Sequence, residues 1–288
     1  MNRPFRASRA LVTGASSGIG QAFARALAKR GCDLVLVARR QDRLDTLAVE
    51  LEAAYGIKCT PLAFDLFVEA AGSQLRQRVV GDIDLVINNA GFATQGSFLD
   101  GEASAYAQVL AVDVAAVVDI CHAFLPEMVQ RGHGAIMNIS STTAYQPVPS
   151  LAVYAAAKSF VLSFSQSLWY EAKQHGVRVF SFAPGPTSTE FFDVIGETAT
   201  VVGRLQTPDQ VAAAGLRALD RRRTPPSTVS GTGNAVSAAL ARLVPRRILM
   251  PRPGPVTATA PEIRESHVLT SKPSTWQQHS LADDRRRP

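Results

Sequence analysis

The stretch Ala10–Arg30 leaves this chain few folds to choose from. Ala10-Leu11-Val12 is a short apolar run suited to a strand buried on both faces. Thr13-Gly14-Ala15-Ser16-Ser17-Gly18-Ile19-Gly20 follows, and then Ile19, Phe23, Ala26 and Leu27 recur at helix spacing as far as Arg30. Strand, glycine turn and helix in this order make a pyrophosphate-binding unit. The glycines let backbone approach phosphate, and the helix N-terminus supplies free N–H groups and a partial positive charge. The spacing is G-x-x-x-G-x-G, which differs from the G-x-G-x-x-G of two-domain dinucleotide enzymes. Gly14, Ser16, Ser17, Gly18, Ile19 and Gly20 are therefore the first candidate cofactor contacts.

The same alternation continues down the chain. Strands are predicted at Ala10–Val12, Asp33–Ala38, Lys58–Phe64, Leu85–Asn88, Ala135–Ile139 and Val177–Phe182. Helices are predicted between them at Ile19–Arg30, Asp42–Tyr55, Glu69–Val80, Ala103–Gln130 and Leu151–His175. This repetition predicts an α/β fold: a doubly wound, Rossmann-type, mostly parallel sheet with helices on both faces, in a single domain over residues 1–250. Thr207-Pro208-Asp209-Gln210 reads as a helix start, with Thr at the N-cap, Pro at N1 and Gln at N3. Beyond about Asp220 the pattern fades. Ala235–Met250 could form one more amphipathic helix, and Thr224–Ser230 is a poor strand because prolines are confined to edges and bulges. Residues 251–288 carry six of the seventeen prolines and no apolar periodicity, so a disordered basic tail is expected there.

Tyr154-Ala-Ala-Ala-Lys158 carries the chemistry. Positions i and i+4 share a helix face, roughly 6 Å apart along the axis. A phenol has an ordinary pKa of about 10, and an ammonium beside it favours the phenolate and pulls that pKa toward the working range. Ser141, thirteen residues before Tyr154, can bring a hydroxyl from a neighbouring strand end. In isolation a Tyr/Lys pair on an amphipathic helix reads as a solvated pair; the glycine turn shifts the reading to a proton-transfer site.

Several classes are set aside. The net charge of +6 lies in the C-terminal region: residues 217–288 carry +8 and residues 1–216 carry −2, so no nucleic-acid surface is expected on the body. The five histidines show no metal spacing, and no metal is assigned. Cys32, Cys59 and Cys121 sit in apolar surroundings with no C-x-x-C, and read as buried thiols of a reducing, cytoplasmic compartment. Val109–Leu125 is the longest apolar stretch, but Asp113, Asp119 and His122 interrupt it, so no transmembrane span is expected. Met1–Arg9 has basic residues without an apolar stretch, and no signal peptide is expected.

Over about residues 8–220 the chain resembles the short-chain dehydrogenase/reductase family. The resemblance rests on Thr13–Gly20, Asp65, Asn88-Asn89-Ala90-Gly91, Ser141, Tyr154 with Lys158, and Pro184-Gly185 followed by Thr187 and Thr189. It implies hydride transfer between a nicotinamide cofactor and a carbonyl/alcohol pair, with Tyr154 as general acid/base, Ser141 polarising the carbonyl, and Lys158 holding the nicotinamide ribose. It implies cofactor contacts from Asp65 and Leu66, from Asn88, Asn89, Ala90 and Gly91 (a run that also reads as a plain turn), and from Pro184, Gly185, Thr187 and Thr189. Asp65 reads equally well as a helix N-cap. The resemblance also implies a homo-dimer or homo-tetramer built on the helices at 103–130 and 151–175. Phe92, Phe98, Phe191 and Phe192 are candidates for an apolar substrate wall or for core packing.

Cofactor choice follows from charge. The second strand ends Val37-Ala38-Arg39-Arg40, with no acid until Asp42, where NAD-specific sites place an Asp or Glu for the ribose 2′-OH. Arg39 can stack on adenine and pair with a 2′-phosphate, and Arg40 does the same or is solvated, so NADP(H) is expected over NAD(H). One departure concerns Asp113, where the family usually has Asn as a fourth catalytic residue. An ionised Asp only accepts hydrogen bonds, so Asp113 near Lys158 is expected to slow turnover, and Asp113→Asn to raise kcat. The alternative is a cofactor-binding regulatory protein with little turnover. The substrate is not legible.

Overall fold

The computed structural model of the chain describes residues 5–190 and 205–245. These fall within one compact unit, residues 1–258. The first half runs β1 (Arg9–Thr13), α1 (Gly18–Ala28), β2 (Asp33–Ala38), α2 (Gln41–Tyr55), β3 (Cys59–Ala63), α3 (Ala71–Arg78) and β4 (Leu85–Asn88). The second half runs α4 (Ala103–Leu110), a π turn (Ala111–Ala115), α5 (Ala116–Arg131), β5 (Gly134–Ile139), α6 (Ala152–Lys173), β6 (Val177–Ala183), α7 (Pro208–Leu219), β7 (Ser227–Val229) and α8 (Thr232–Leu243). All seven strands are parallel, in the order β3-β2-β1-β4-β5-β6-β7. The order reverses between β1 and β4, which opens a crevice beyond the carboxyl ends of those strands.

Two-residue alternation within the central strands feeds two cores. Ala10, Val12, Leu34, Leu36, Ile87, Met137, Phe180 and Phe182 face one way and pack with Phe23 and Leu27 of α1, Leu44, Leu47 and Leu51 of α2, and Val211 and Leu216 of α7. Leu11, Val35, Val37, Val86, Ile136 and Val179 face the other way, against Leu75 of α3, Ile120 and Phe124 of α5, and Val161 of α6. Because both faces are covered, the strands read as continuous apolar runs without polar alternation. Gly215 shows how closely α7 approaches: a Cβ there would lie 2.7 Å from the Phe23 ring. Across the second core, the Arg76 fork on Glu127 (2.9 Å, twice) ties α3 to α5.

The structure corrects the sequence reading in three places. The helix expected over 103–130 is two α-helices joined by the π turn; apolar periodicity cannot reveal the one-residue change of period. The segment Ala103–Arg131 is long and apolar enough, by composition, to cross a membrane. In this fold it is the layer that covers the α3/α6 face of the sheet. A last strand does form at Ser227–Val229. Pro225 and Pro226 stand just before it at the sheet edge, where a missing N–H removes no ladder bond, and the Pro226 carbonyl accepts from Ser181 N at 3.1 Å. The final helix starts at Thr232, three residues before the expected Ala235, with Gly231 preceding it at φ +84°. The capping box at Thr207 and Gln210 is present with both bonds, at 3.2 and 3.1 Å. Phe191, Phe192 and the tail 251–288 lie outside the described residues.

Candidate active site

The carboxyl ends of β1, β2, β4, β5 and β6 open into a cavity of about 1010 Å³. At one end lies the glycine turn. Gly14 and Gly18 have φ of +65° and +54°, the left-handed region that a side chain disfavours. A Cβ on Gly20 would lie 2.2 Å from the Gly14 carbonyl oxygen and 2.5 Å from Asn89 Nδ2, so the turn closes only with glycine there. Asn89 holds the turn from β4, its Nδ2 donating to Thr13 O at 2.9 Å. Thr13 Oγ1 in turn accepts from the backbone N–H groups of Asn89 and Ala90, at 2.9 and 3.0 Å. Thr13 opens the motif in the sequence but was not among its candidate contacts; its side chain ties the glycine turn to the Asn89–Ala90 loop.

The N-terminus of α1 is left open. Ser17 at the N-cap is extended, and its hydroxyl does not cap the first-turn amides; it accepts from Arg40 Nη2 at 3.0 Å instead. Arg40 also donates to Ser16 Oγ, from Nε at 3.3 Å and Nη2 at 3.1 Å. Of the two arginines, Arg40 is the one folded over the turn, while Arg39 lies exposed on the cavity wall. Uncapped amides, glycines and a guanidinium fork converge on one spot, the donor set that a dinucleotide phosphate requires. The residues present therefore fit a nicotinamide dinucleotide.

At the other end the catalytic candidates gather. Ser140 pins α6 to the end of β5 by donating to the Lys158 carbonyl at 2.8 Å. This places Tyr154 and Lys158 beside Ser141, whose hydroxyl hydrogen-bonds the Tyr154 phenol oxygen and accepts from Thr143 N at 3.2 Å. The π turn bulges Asp113 inward to complete burial, and its Oδ2 lies 2.9 Å from Lys158 Nζ. Asp113 Oδ1 accepts from Phe92 N at 3.1 Å, and Lys158 Nζ also donates to Ile139 O at 3.3 Å. Gly91 makes room: a Cβ there would lie 2.7 Å from Asp113 Oδ2.

Burial dominates the electrostatics of this cluster. For Tyr154 it pushes the phenol above its ordinary value; the Lys158 charge pulls down but does not win, and the Asp113 charge adds to the rise. The lysine pulls the phenol in the expected direction, but the expected net fall toward neutrality is corrected, because burial outweighs that pull and Asp113 adds to the rise. For Lys158, burial opposes the charge, yet Asp113 and Tyr154 together hold the ammonium above its usual value. For Asp113, burial raises the carboxyl more than Lys158 and Phe92 lower it.

The remaining candidates sort by position. Leu66, Asn89, Ala90, Gly91, Pro184, Gly185, Thr187 and Thr189 all line the cavity, as do Gly14, Ser16, Ser17, Gly18 and Ile19. Gly20 does not; it is buried beneath the turn, where it packs on Gly14 O. Asn88 points into the second core and donates to Asn138 Oδ1 at 2.8 Å. Asp65 lines the cavity and accepts from Phe67 N at 3.0 Å, which closes a short turn; it does not cap α3. Phe92 lines the cavity, whereas Phe98 stacks on Tyr106 at 5.0 Å away from it. Asn234 of α8 also lines the cavity, its Nδ2 donating to Ser230 O at 2.9 Å. Its side chain is pressed on Gly185, a contact between distant segments that gave no sequence signal. The three cysteines lie outside the cavity lining; burial pushes Cys32 and Cys121 up to about 12 and Cys59, which is only half-buried, to about 11. Among the described residues no group of three His, Cys, Asp or Glu could hold a metal ion.

Comparison with known proteins agrees with this geometry. Residues 8–200 match the model of the short chain dehydrogenase family. Over 192 residues the chain is 35% identical to very-long-chain 3-oxoacyl-CoA reductase of Bos taurus, covering 65% of this chain and 62% of that protein. The chain thus spans about three fifths of the length of this curated relative. Among solved structures it is similar to a short-chain dehydrogenase from Sphingobium yanoikuyae in complex with NADPH. The TM-score is 0.74 and the identity 34%, over 88% of this chain and 98% of that one. It is also similar to L-sorbose reductase from Gluconobacter frateurii complexed with NADPH and L-sorbose, with a TM-score of 0.71 and 26% identity over 80% and 98% of the two chains. The family match, the seven-stranded parallel sheet and the gathered Ser141, Tyr154 and Lys158 place this chain in the short-chain dehydrogenase/reductase family.

Proposed function

We propose that this chain interconverts a carbonyl and an alcohol with NADP(H) as hydride carrier. The observation that carries the reading is the Ser141–Tyr154–Lys158 cluster at one end of a cavity whose other end is the glycine turn under Arg40. When bound, NADP(H) supplies the hydride. Tyr154 holds the proton that the substrate oxygen takes up on reduction, and Ser141 orients that oxygen by hydrogen bonding. Lys158, already bound to Asp113 and Ile139 O, would offer its remaining N–H to the ribose, and its charge would stabilise the phenolate left on Tyr154. Arg40 and the open amides of α1 would hold the phosphates; the NADPH in the Sphingobium and Gluconobacter structures supports the preference for NADP(H). Leu151, Val148 and Ala93 pack beside Tyr154 and give the proton-transfer site an apolar wall.

A panel of ketones, aldehydes and 3-oxoacyl thioesters, followed by NADPH absorbance, tests the reading. Tyr154→Phe keeps the shape and removes the acidic hydroxyl; turnover is expected to fall about 10²–10⁴-fold with NADPH binding retained. Undiminished turnover in Tyr154→Phe would refute the assignment of the acid. A second reading, a cofactor-binding regulator with weak turnover, is favoured by the Lys158–Asp113 pair, which engages a lysine donor that would otherwise be available to ribose. NADPH binding without turnover of any substrate in the panel would select it.

We extend the proposal to a cytoplasmic homo-oligomer. Three free thiols suit a reducing compartment. Exposed Tyr170 and Phe160 on α6 give a helix face for self-association, which sedimentation can measure.

A further inference from the structure

We infer that Glu190 is an internal anion at the position of the cofactor's 2′-phosphate, and that it narrows the preference for NADP(H) over NAD(H). The inference rests on the proposed NADP(H) reading. Glu190 follows β6 at the end of the Thr187–Thr189 segment, and its carboxylate lines the same cavity wall as Arg40. Glu190 Oε2 accepts from Arg40 Nη1 at 3.2 Å, and Oε1 accepts from Arg43 Nη1 at 2.6 Å. Arg40 reaches the glycine turn with its other nitrogens, on Ser16 and Ser17. Thr189, the neighbour of Glu190, lies over the turn; a Cβ on Gly18 would be 3.0 Å from Thr189 Cγ2. The β2 and β6 ends are thus bridged across the cofactor groove by one carboxylate between two guanidinium groups.

A forked guanidinium beside the glycine turn, with no acid at the end of β2, is the arrangement that receives a phosphate at the ribose 2′ position. Here a carboxylate already holds it. Two arginines and one glutamate sum to a single positive charge, against nearly two negative charges on a 2′-phosphate. An incoming NADP(H) must displace Glu190 or sit beside a like charge, whereas NAD(H), with a 2′-hydroxyl, meets no such penalty. The glutamate therefore lowers affinity for NADP(H) selectively. The Arg40 and Glu190 side chains are 40% and 53% exposed, so solvent screening keeps the effect modest.

The test is Glu190→Gln, which keeps the side-chain shape and removes the charge. NADPH and NADH dissociation constants are measured by fluorescence titration for the wild type, Glu190→Gln and Arg40→Ala. The expected result is a rise of roughly two- to fivefold in the NADPH-over-NADH affinity ratio for Glu190→Gln, shrinking with added salt. An unchanged or lower ratio overturns the inference; a lower one identifies Glu190 as a clamp over bound NADP(H). Arg40→Ala separates this failure from that of the underlying reading. If Arg40→Ala weakens NADPH selectively while Glu190→Gln changes nothing, only the role of Glu190 falls. If Arg40→Ala weakens both cofactors equally, the 2′-phosphate reading falls and takes this inference with it.

Discussion

Replacing Asp113 by Asn removes one buried charge from beside Lys158 and almost no volume. The wild-type carboxylate serves two neighbours at once, Phe92 N through Oδ1 at 3.1 Å and Lys158 Nζ through Oδ2 at 2.9 Å. An amide has a single accepting oxygen. Kept on Phe92 N, it turns an NH₂ group toward the ammonium, which then lies buried without a counter-charge. Breaking a buried pair in this way costs about 3–5 kcal/mol. For a domain of this size, that lowers Tm by roughly 6–20 °C. The sign with pH follows from the lysine. In the wild type its folded pKa is raised, so its contribution is present below the ordinary lysine value of about 10.4 and lost only above it. In the variant the folded pKa moves down, the unfolded chain binds more protons, and stability climbs as pH rises toward that value. The deficit is therefore largest near neutral pH and shrinks in alkali. Catalysis moves the other way: Tyr154 loses a carboxylate that pushes its phenol up, Lys158 is freed from its partner, and kcat rises. Thermal unfolding by circular dichroism across pH, with steady-state turnover on a ketone from the panel, measures both. A folded variant with unchanged or lower kcat refutes the catalytic argument. A deficit that does not vary with pH refutes the electrostatic one.

Gly20→Ala should abolish tight NADPH binding and cost about 1–3 kcal/mol, because the new methyl meets the Gly14 carbonyl at 2.2 Å and neither backbone segment can yield; wild-type affinity in a fluorescence titration would show that the turn does not close as described. The pH profile of carbonyl reduction should be flat through neutrality and fall only above about 10, since the acid form of Tyr154 is needed and burial raises its phenol above the ordinary value. Alcohol oxidation, which needs the phenolate, should rise with pH over the same range. A reductive limb falling near pH 7 would contradict the burial argument.

Much of the site was legible because its chemistry depends on local spacing. Gly14, Gly18 and Gly20 declare a backbone that must bend and approach closely, and Tyr154 with Lys158 four residues on share one helix face whatever surrounds them. The alternating runs also determined a parallel sheet, since strands buried on both faces are apolar along most of their length, as in β4 and β5, whose buried polar residues Asn88 and Asn138 bond to each other. Tertiary structure decided what depends on segments meeting. The π turn that drives Asp113 onto Lys158 leaves no mark in an apolar pattern, and neither does the approach of Asn234 to Gly185. The choice of Arg40 over Arg39, and the placing of Glu190 between Arg40 and Arg43, were set by which ends the strand order brings across the groove. The electrostatic balance of Tyr154 was decided there as well. Burial is a property of the assembled fold, and it outweighed the lysine charge that the linear motif alone made prominent.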